Sequence, residues 1–384
     1  MSQTPVPVVL VGAHGHGRSH LRNLRSLAGD GLVRLAGVCD LVPLPEAELA
    51  GFGRVAQDGD LAALIARTGA RVAILCTPIH THLPLARTAL AAGSHLLLEK
   101  PPTATAAEFA ALRAAVAESG LACQVGFQSL GSAAVPAVRE LIAEGAVGAV
   151  RGIGGAGTWV RTSAYYARAA WAGRRTLAGR DVVDGALTNP FAHAVATALA
   201  IAGAQEAVGH GIELELFHAH PIESDDTSCV RLRAPDGTPI SVAVTLCART
   251  HRPPHLVVHG DAGRITLYYT LDEVLLERPG EPPRTTVYGR TDLLRNLVEH
   301  LDGGAPLLVP PEATAGFMAV LEAVRRAPDP LPIPEALQEV TEEADGTHRV
   351  VADVDDLVAM SAERVALFSE LGAPWAAVAE PDPA

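Results

Sequence analysis

The stretch that decides the fold is Val8-Val9-Leu10-Val11-Gly12-Ala13-His14-Gly15-His16-Gly17, near the start of this 384-residue chain. Its four leading apolar residues predict a buried strand, and apolar or small residues then recur at helical spacing over Gly17–Leu27. A glycine-rich turn between a strand and a helix is typical of a dinucleotide-binding loop, usually G-x-G-x-x-G. Gly12 and Gly17 match its first and third glycines, but His14 replaces the second.

An acidic residue after the next predicted strand supports nucleotide binding. Val33–Val38 is followed by Cys39-Asp40, and Asp40 lies 23 residues after the last glycine of the loop. A carboxylate there accepts hydrogen bonds from an adenosine ribose and repels a 2′-phosphate, which favours NAD over NADP. We expect His14 to need an unusual backbone angle, with Gly15 giving freedom beside it. The alternative is an ordinary glycine-rich turn in another α/β protein.

Strands and helices alternate through the first third of the chain. The sequence predicts further strands at Val72–Cys76, His95–Leu98 and Leu121–Val125, and helices at Asp60–Thr68, Leu83–Ala92 and Ala106–Glu118. Strands separated by helices of about this length form parallel βαβ units. The pattern stops near Gly126, so we predict an α/β domain with a parallel, doubly wound sheet over residues 1–126.

The second domain is predicted over residues 127–340. Apolar, β-branched runs that predict strands lie at Val150–Val160, Ile212–Phe217, Ser228–Leu232, Ile240–Leu246, Leu256–His259 and Arg264–Tyr269. Turn signals such as Pro235-Asp236-Gly237 and Gly260-Asp261-Ala262-Gly263 join most of these runs. The combination favours a meander-like antiparallel sheet.

Residues 341–384 form an acidic C-terminal extension with ten Asp or Glu against two Arg. One partly apolar helical face is predicted from Leu357, Met360, Val365, Phe368 and Leu371, with Gly372 ending the helix. We expect this helix to dock on its own domain or on a neighbouring subunit. A solvated acidic tail is the alternative, which Phe368 and Trp375 disfavour.

Composition and charge exclude several classes of protein. A net charge of −13 is wrong for a nucleic-acid binder, which needs a cationic face. We expect no membrane span, since the Ala-rich stretch 190–204 is short and contains His193, and no signal peptide, since no basic segment precedes the first apolar run. The scattered cysteines predict no disulfide framework, no metal site and a cytoplasmic location; they are Cys39, Cys76, Cys123, Cys229 and Cys247.

Two further motifs follow predicted strands: Cys76-Thr77-Pro78-Ile79-His80-Thr81-His82 and Glu99-Lys100-Pro101-Pro102. With the glycine loop and Asp40, they resemble the Gfo/Idh/MocA family, founded on glucose-fructose oxidoreductase and inositol dehydrogenase. The resemblance spans about residues 6–332 and implies a Rossmann domain, then an α+β domain with a large, mostly antiparallel sheet. It also implies NAD(P)-dependent hydride transfer on sugars, cyclitols and related polyols. The cofactor-binding residues expected from these motifs are Gly12, His14, Gly15, His16, Gly17, Asp40, Thr77, Pro78, His82, Glu99, Lys100 and Gln128.

Lys100 is the first candidate catalytic residue. It follows the apolar run Leu96-Leu97-Leu98, and open α/β sheets bind ligands at the carboxyl ends of such strands. Its ammonium can hydrogen-bond a substrate hydroxyl and stabilise a developing alkoxide. The alternative is that Glu99 and Lys100 are only solvated residues after a strand.

A second chemical segment runs from Asp184 to His193, DGALTNPFAH. Asn189 and Pro190 suit the N-cap and first position of a helix, which would bring Asn189 and His193 close together on one face of the first turn. The family's segment typically reads G-x-L-x-D-x-G-x-H-x-x-D. Aligned on His193, its two Asp correspond to Asn189 and Ala196, and its second Gly to Phe191. Because an amide cannot accept a proton as a carboxylate does, the role of position 189 is expected to change to hydroxyl binding or to a plain helix cap.

His193 is the candidate general base, because imidazole titrates near neutral pH. A structural helix histidine is the alternative. Upstream, residues 165–168 and 171–175 resemble the family's variable substrate side, and Tyr165, Trp171 and Arg174 are expected to bind substrate through aromatic faces and guanidinium donors. An exposed loop packed on the sheet would explain the same residues.

Three functions remain open. The first is an NAD-dependent oxidoreductase acting on a sugar, cyclitol or polyol. The second is a glycosidase or epimerase that retains NAD and oxidises its substrate transiently. The third is a non-enzymatic nucleotide-binding regulator, which the altered positions 14, 189 and 196 keep open. We also expect a homodimer or homotetramer formed through the sheet of the C-terminal domain.

Overall fold

The structure is a computed structural model that describes residues 4–208 and 211–376. Its strands are β1 (Val6–Val11), β2 (Val33–Cys39), β3 (Ala56–Asp58), β4 (Val72–Leu75), β5 (His95–Leu98), β6 (Cys123–Val125), β7 (Val150–Thr158), β8 (Thr176–Leu177), β9 (Arg180–Asp181), β10 (Glu213–His218), β11 (Thr227–Arg233), β12 (Pro239–Thr245), β13 (His255–Gly260), β14 (Arg264–Tyr268), β15 (Glu273–Glu277), β16 (Arg284–Val287), β17 (Leu331–Pro332), β18 (Gln338–Glu343) and β19 (Gly346–Val351). Its α-helices are α1 (Gly17–Gly29), α2 (Glu46–Leu49), α3 (Leu61–Thr68), α4 (His82–Ala91), α5 (Ala106–Ser119), α6 (Ala134–Ala143), α7 (Ser163–Ala167), α8 (Ala192–Ile201), α9 (Leu293–Gly303), α10 (Ala315–Arg326) and α11 (Val354–Arg364). Within the same residues, no helix is both long and apolar enough to cross a membrane.

The chain divides into two compact units. The first comprises the residues up to Gly131 together with Thr291–Thr314, and the second comprises Ser132–Arg290 and the residues from Ala315 onward. The sequence had indicated boundaries near residues 126 and 340, with the stretch around residue 300 in the second domain. In the structure, Thr291–Thr314 returns to the first unit, and the C-terminal extension belongs to the second.

Hydrogen bonds to the last strand of the first unit explain this return. The Gln124 amide in β6 donates to Asn296 Oδ1 of α9 at 2.6 Å and accepts the Val309 N–H at 2.9 Å. Val125 N–H donates to the Val309 carbonyl at 2.9 Å, so the returning segment covers the open edge of β6. These partners lie more than 150 residues apart in sequence, which is why local patterns did not reveal the pairing.

The first unit is built on a six-stranded sheet in the order β3-β2-β1-β4-β5-β6, and every neighbouring pair is parallel. All four residues of β4 are buried, as expected for a strand covered on both faces. The predicted parallel, doubly wound sheet is therefore confirmed. The sequence missed β3 and α2, which are three and four residues long and carry polar residues in place of an apolar run.

The sequence motifs lie at one edge of this sheet. β1, β2, β4 and β5 end immediately before Gly12, Asp40, Cys76 and Glu99. Because parallel strands share the direction of their carboxyl ends, the loops that follow them gather at a single edge, the edge where open α/β sheets bind ligands.

The second unit contains a nine-stranded sheet in the order β16-β15-β14-β13-β7-β12-β11-β10-β17. The pairs β7–β12 and β10–β17 are parallel, and the others are antiparallel. The expected large, mostly antiparallel sheet is confirmed. It is not one continuous meander, because β7, the first of these strands in the chain, lies between β12 and β13.

The C-terminal extension covers part of this sheet. A hairpin of β18 and β19 precedes α11, and Val354, Val358 and Phe368 belong to one buried cluster with Ala243 and Cys229 of the sheet. The backbone of α11 comes so close to β7 that a Cβ on Gly154 would lie 1.8 Å from the Ala362 carbonyl oxygen. Docking of the extension on its own domain is thus confirmed as far as residue 376, where a solvated tail is wrong; residues 377–384 lie outside the described residues.

Two details of the predicted extension are wrong. The structure forms a hairpin from 338 to 351, whose acidic first strand lacks an apolar alternation. The helix ends at Arg364 rather than at Gly372, because Val365 adopts a left-handed backbone conformation with φ of 52°. The chain then continues irregularly and buries Phe368 and Trp375, whose rings lie 4.9 Å apart.

Candidate functional site

The glycine loop of the first unit has the geometry that nucleotide binding requires. A Cβ on Gly12 would lie 2.3 Å from the Cys76 carbonyl oxygen, and one on Gly17 would lie 2.1 Å from the Gly12 carbonyl oxygen. Only glycine therefore fits at either position. Helix α1 starts at Gly17 and has no acidic residue in its first turn, so its N-terminal N–H groups suit an anionic pyrophosphate.

Asp40 contacts the glycine loop directly. Its Oδ2 accepts the buried Ala13 N–H at 2.8 Å, and its Oδ1 lies 3.4 Å from Val42 N. The carboxylate therefore holds the loop backbone while remaining at the end of β2, where a ribose would bind. The glycine loop and the Asp40 carboxylate therefore both suit a bound dinucleotide.

The backbone expectation for His14 is wrong. Among non-glycine residues of the described chain, positive φ angles occur at five positions, none of which is His14, and Gly15 takes the left-handed conformation with φ of 59°. A Cβ on Gly15 would meet nothing within 4 Å, so the need for glycine there is conformational. The exposed His14 imidazole extends to the Val42 carbonyl, with Nε2 3.0 Å from the oxygen.

Glu99 is the centre of a buried hydrogen-bond network that the sequence did not reveal. Its Oε1 accepts His20 Nε2 at 2.9 Å and Gln128 Nε2 at 3.1 Å, and His16 Nε2 lies 3.7 Å away. Burial alone would raise the pKa of the Glu99 carboxyl, but hydrogen bonds from His16 and His20 and the charges of both rings hold this pKa well below its usual range. The four-residue spacing of the two histidines was the available signal.

These same atoms are the one group in residues 4–208 and 211–376 close enough together to hold a metal ion: one ligand atom each from His16, His20 and Glu99, all within 4.8 Å of one another. The sequence predicted no metal site. The short contact from His20 is that of an N–H donating to a carboxylate, and Gln128 also donates to this oxygen. We therefore describe the group as a hydrogen-bonded network.

The other cofactor candidates brace the loops at this edge. The fully buried His82 ring places Nε2 2.8 Å from the Thr77 carbonyl and Nδ1 3.0 Å from the Pro101 carbonyl, so it ties the loop after β4 to the loop after β5. Burial lowers its pKa. The Thr77 hydroxyl accepts the Thr81 hydroxyl at 2.7 Å. The peptide bond between Lys100 and Pro101 is cis.

In the second unit, the predicted helix start is wrong. Helix α8 begins at Ala192 with Phe191 as its N-cap, so Asn189 lies in the preceding turn and His193 in the first helical turn. The Asn189 N–H donates to the Gly185 carbonyl at 3.0 Å. Its side-chain amide donates to Asp184 Oδ1 at 2.5 Å instead of capping the helix.

Buried carboxylates hold this turn in place. Asp225 accepts the Ala186 N–H at 3.0 Å and also the Ser228 hydroxyl. Burial raises the pKa of Asp225, and it raises the pKa of Asp226 to about 6. Asp226 accepts the N–H groups of Ala219 and His220, so both carboxylates organise the backbone.

The expected substrate segment forms a ladder of aromatic rings and guanidinium groups. The Arg168 guanidinium carbon lies 3.6 Å from the Tyr165 ring centroid and 4.7 Å from the Trp171 ring centroid. The guanidinium carbon of Arg161 lies 5.1 Å from the same Tyr165 centroid. Arg174 is paired with Glu223. Burial and the charge of Asp184 raise the pKa of Tyr165 to about 12, so this phenol is protonated at neutral pH.

The C-terminal extension supports this ladder. Thr347 N–H of β19 donates to the Ser163 hydroxyl at 3.0 Å, and the Thr162 hydroxyl donates to the Asp345 carbonyl at 2.8 Å. Both contacts lie at the start of α7, the helix that carries Tyr165. The turn of the hairpin therefore fixes the position from which the ladder starts.

Comparison with known proteins agrees with this architecture. The Gfo/Idh/MocA model described as an oxidoreductase family with an NAD-binding Rossmann fold matches residues 6–127, and the Gfo/Idh/MocA C-terminal domain matches residues 135–266. The chain is 29% identical over 278 residues to the dTDP-3,4-didehydro-2,6-dideoxy-α-D-glucose 3-reductase of Streptomyces violaceoruber, which covers 72% of this chain and 73% of that protein.

Solved structures share the fold. One is the WlbA dehydrogenase of Chromobacterium violaceum in complex with NADH and UDP-GlcNAcA, at 20% identity and a TM-score of 0.71 over 85% of this chain and 94% of that one. Another is the UDP-N-acetylglucosamine 3-dehydrogenase GnnA of Acidithiobacillus ferrooxidans, at 19% identity and a TM-score of 0.65 over 84% and 97%. The two matched domain models, in the order in which the structure places a parallel and a mixed sheet, show that the chain is an oxidoreductase of the Gfo/Idh/MocA family.

Proposed function

We propose that the protein transfers a hydride between NAD and a secondary alcohol of a sugar or a related polyol. The observation that carries the proposal is Lys100, which is the only lysine in a chain that has 30 Lys and Arg in total. Every other strongly basic side chain is a planar guanidinium, whereas Lys100 offers a compact ammonium with three N–H donors. The single lysine lies two residues after β5, at the edge where open α/β sheets bind ligands.

The cofactor preference that we propose is NAD over NADP. Asp40 places a negative charge at the end of β2, where it favours a ribose with free hydroxyls and disfavours a 2′-phosphate. Within the part of the chain that the structure describes, its carboxylate accepts hydrogen bonds from the N–H groups of Ala13 and Val42, and neither donor is a cation.

We assign the chemical roles as follows. Bound NAD supplies the acceptor for a hydride from the alcohol carbon. The hydroxyl loses its proton in the same reaction, and His193 accepts it, since imidazole suits proton transfer near neutral pH. Lys100 donates to the same oxygen and stabilises its developing negative charge. Asn189 hydrogen-bonds a substrate hydroxyl.

The substrate that we propose to test first is a nucleotide-linked sugar. The names of the relatives include a dTDP-sugar reductase and a UDP-sugar dehydrogenase. The ladder of Tyr165, Arg168 and Trp171 offers aromatic faces and a cation, which suit a sugar ring and an anionic group. The exposed Arg174 adds a second guanidinium in this segment.

We further infer a reducing location such as the cytoplasm, because all five cysteines are free thiols and four of them are buried. We also propose a homodimer or homotetramer formed through the sheet of the second unit. Because the chain's own α11 covers β7 and β12, a partner subunit would have to contact other strands of this sheet. Light scattering of the purified protein measures the number of subunits.

The decisive experiment is turnover with NAD across a panel of nucleotide-linked and free sugars. Net NADH formation supports the proposal, turnover without net NADH favours the NAD-retaining glycosidase or epimerase, and NAD binding without turnover leaves a regulator. Once a substrate is known, His193→Ala should lower turnover by roughly 10²–10⁴-fold with little change in NAD affinity. Near wild-type turnover would exclude His193 as the base.

The single lysine permits a direct test of its role. An amine-reactive reagent can modify only Lys100 and the N-terminus, so mass spectrometry reports the labelling of Lys100 alone. Saturating NAD should protect it. Lys100→Arg keeps the charge but replaces the compact ammonium with a larger planar guanidinium, so we expect it to lose turnover as Lys100→Met does; full activity of the arginine variant would show that only the charge matters.

A further inference from the structure

Arg161 lies within cation–π distance of two aromatic rings in the expected substrate segment. Its guanidinium carbon is 5.2 Å from the Trp159 ring centroid and 5.1 Å from the Tyr165 ring centroid. The backbone of Arg161 is held from two sides, since its N–H donates to the Leu246 carbonyl at 2.9 Å and its carbonyl lies 3.1 Å from His220 Nε2. The side chain therefore extends from a fixed position.

The charge of Arg161 is not balanced as the other arginine charges of this segment are. Residues 161–175 contain four arginines, and three of them form an ion pair with a carboxylate. These pairs are Arg168 with Asp184, Arg174 with Glu223 and Arg175 with Asp329. Within residues 4–208 and 211–376, no carboxylate lies within ion-pair distance of Arg161, whose Nη1 donates to the Val160 carbonyl at 2.8 Å. A guanidinium has five N–H donors, so most of those on Arg161 remain for an external acceptor.

The titratable groups that surround Arg161 supply no negative charge near pH 7. Burial raises the pKa of the Tyr165 phenol to about 12. The His251 ring stacks on Trp159 at 5.4 Å, and burial together with the charge of Arg161 lowers its pKa. Burial lowers the pKa of His220 to about 4. The guanidinium is therefore surrounded by neutral rings.

Two buried donors of the same segment also have no acceptor within the part of the chain that the structure describes. They are the Trp159 indole N–H and the Tyr166 hydroxyl. The Tyr166 ring lies 5.1 Å from the Tyr165 ring, so both donors belong to rings beside those that Arg161 contacts. Donors without acceptors are costly inside a protein. The segment thus has an excess of donors and positive charge, which suits an anion rich in acceptors.

We propose that Arg161 binds an anionic group of the substrate, a carboxylate or a phosphate, and so makes the protein select charged sugars over neutral ones. The inference deepens the proposed oxidoreductase function and rests on it. The guanidinium fork matches two oxygens of either group, and such charge-assisted pairs are stronger than neutral hydrogen bonds. Packing against Trp159 and Tyr165 holds the fork in place, so less side-chain freedom is lost when the anion binds.

Calorimetric titration tests this site without turnover. The probes are UDP and D-glucuronate, with uridine and D-glucose as their neutral counterparts, and saturating NAD keeps the dinucleotide site of the first unit occupied. We expect the wild type to bind at least one anion more tightly than its neutral counterpart, and the preferred anion identifies phosphate or carboxylate as the group. Arg161→Gln should weaken binding of that anion roughly 10- to 100-fold, the effect of losing a charged hydrogen bond, and should leave the neutral counterpart unchanged.

Two further variants serve as controls. Arg233→Gln should bind the anion as the wild type does, because exposed Arg233 also donates to a backbone carbonyl, that of Gly237 at 3.1 Å, but lies outside the substrate segment. Arg161→Lys keeps the charge and loses the fork, so we expect roughly a 3- to 10-fold loss of affinity. Thermal denaturation shows which variants are folded, and Arg161→Lys replaces the glutamine variant in the test if the latter is not.

Three results would overturn the inference: a wild type that prefers neither anion to its neutral counterpart, an Arg161→Gln variant that retains the wild-type preference, and an equal loss in Arg233→Gln. Once a substrate is known, Arg161→Gln should raise KM roughly 10- to 100-fold with a smaller change in kcat, because the contact is made in the ground state and the transition state alike. An unchanged kcat/KM would also overturn the inference. If no sugar is turned over with NAD, the proposed function fails, whereas the titrations still decide whether Arg161 binds an anion.

Discussion

Substitution of Asp40 offers the sharpest test of the nucleotide site, because this one carboxylate performs two separable tasks. Its Oδ2 accepts the N–H of Ala13, which is 0% exposed, and its charge lies at the end of β2, where we propose that the ribose binds. Asp40→Ala removes both the acceptor and the charge. Asp40→Asn keeps an acceptor for the loop and removes only the charge, so the two variants together separate the tasks.

The magnitudes follow from these contacts. Leaving a buried N–H without a partner costs about 1–3 kcal/mol, and the lost hydrogen bond to a ribose adds about 1–2 kcal/mol. We therefore expect Asp40→Ala to weaken NAD binding roughly 10- to 100-fold and to lower Tm, whereas Asp40→Asn should weaken it only about 3- to 10-fold. Since either change removes repulsion of a 2′-phosphate, both should narrow the gap between NAD and NADP.

Isothermal titration with NAD and NADP, together with thermal denaturation, measures all of these quantities. Asp30→Asn is the matched control, since Asp30 lies at the opposite end of α1, is paired with Arg295 and should leave nucleotide selectivity unchanged. Tighter binding of NADP than NAD by the wild type would refute the cofactor assignment. Equal effects of the alanine and asparagine variants on Tm would refute the role of Asp40 in holding the loop.

Three further substitutions test other parts of the structure. His14→Gly should leave NAD affinity unchanged or improve it, because the exposed imidazole extends to the Val42 carbonyl; a loss of affinity by titration would make the ring itself a ligand. The pKa of Glu99 is held far below its unfolded value of about 4.3, so its contribution to stability is present above that value and lost as pH falls. Glu99→Gln should accordingly flatten the decline of Tm between pH 5 and pH 3, and an unchanged acid decline would contradict the shift. Phe368→Ala should lower the free energy of unfolding by about 3–5 kcal/mol in urea titrations, since its ring is 0% exposed. Val340→Ala is the control: at 45% exposure, this change should alter the free energy of unfolding by less than about 0.5 kcal/mol. Similar values for the two variants would show that the extension is not packed.

The sequence by itself determined most of the parallel sheet of the first unit and the position of its motifs. Strand and helix periodicity are local properties, so the residues of β1, β2, β4 and β5 were found within a few positions of their ends. Each motif then followed directly after a strand, in the order of the glycine loop, Asp40 and Glu99-Lys100-Pro101. The parallel pairing of these strands could also be predicted from the sequence, because strands that are connected through helices have few other possible arrangements.

Tertiary structure alone decided the pairings between distant segments. The insertion of β7 between β12 and β13, and the return of 291–314 to β6, depend on partners that no local pattern specifies. In the extension, the sequence indicated an apolar helix but not where it ended, because the left-handed Val365 is imposed by packing.

The same division holds for the candidate site. Residue types and spacing were enough to single out Asp40, Lys100 and His193, since each belongs to a recognisable motif. They could not show that Glu99 is held by two histidines, or that the Asn189 amide turns to Asp184 instead of capping α8. In a buried environment every polar group needs a hydrogen-bond partner, and several partners are possible for Glu99 and for the Asn189 amide. Which of them lies within hydrogen-bond distance depends on the folded chain.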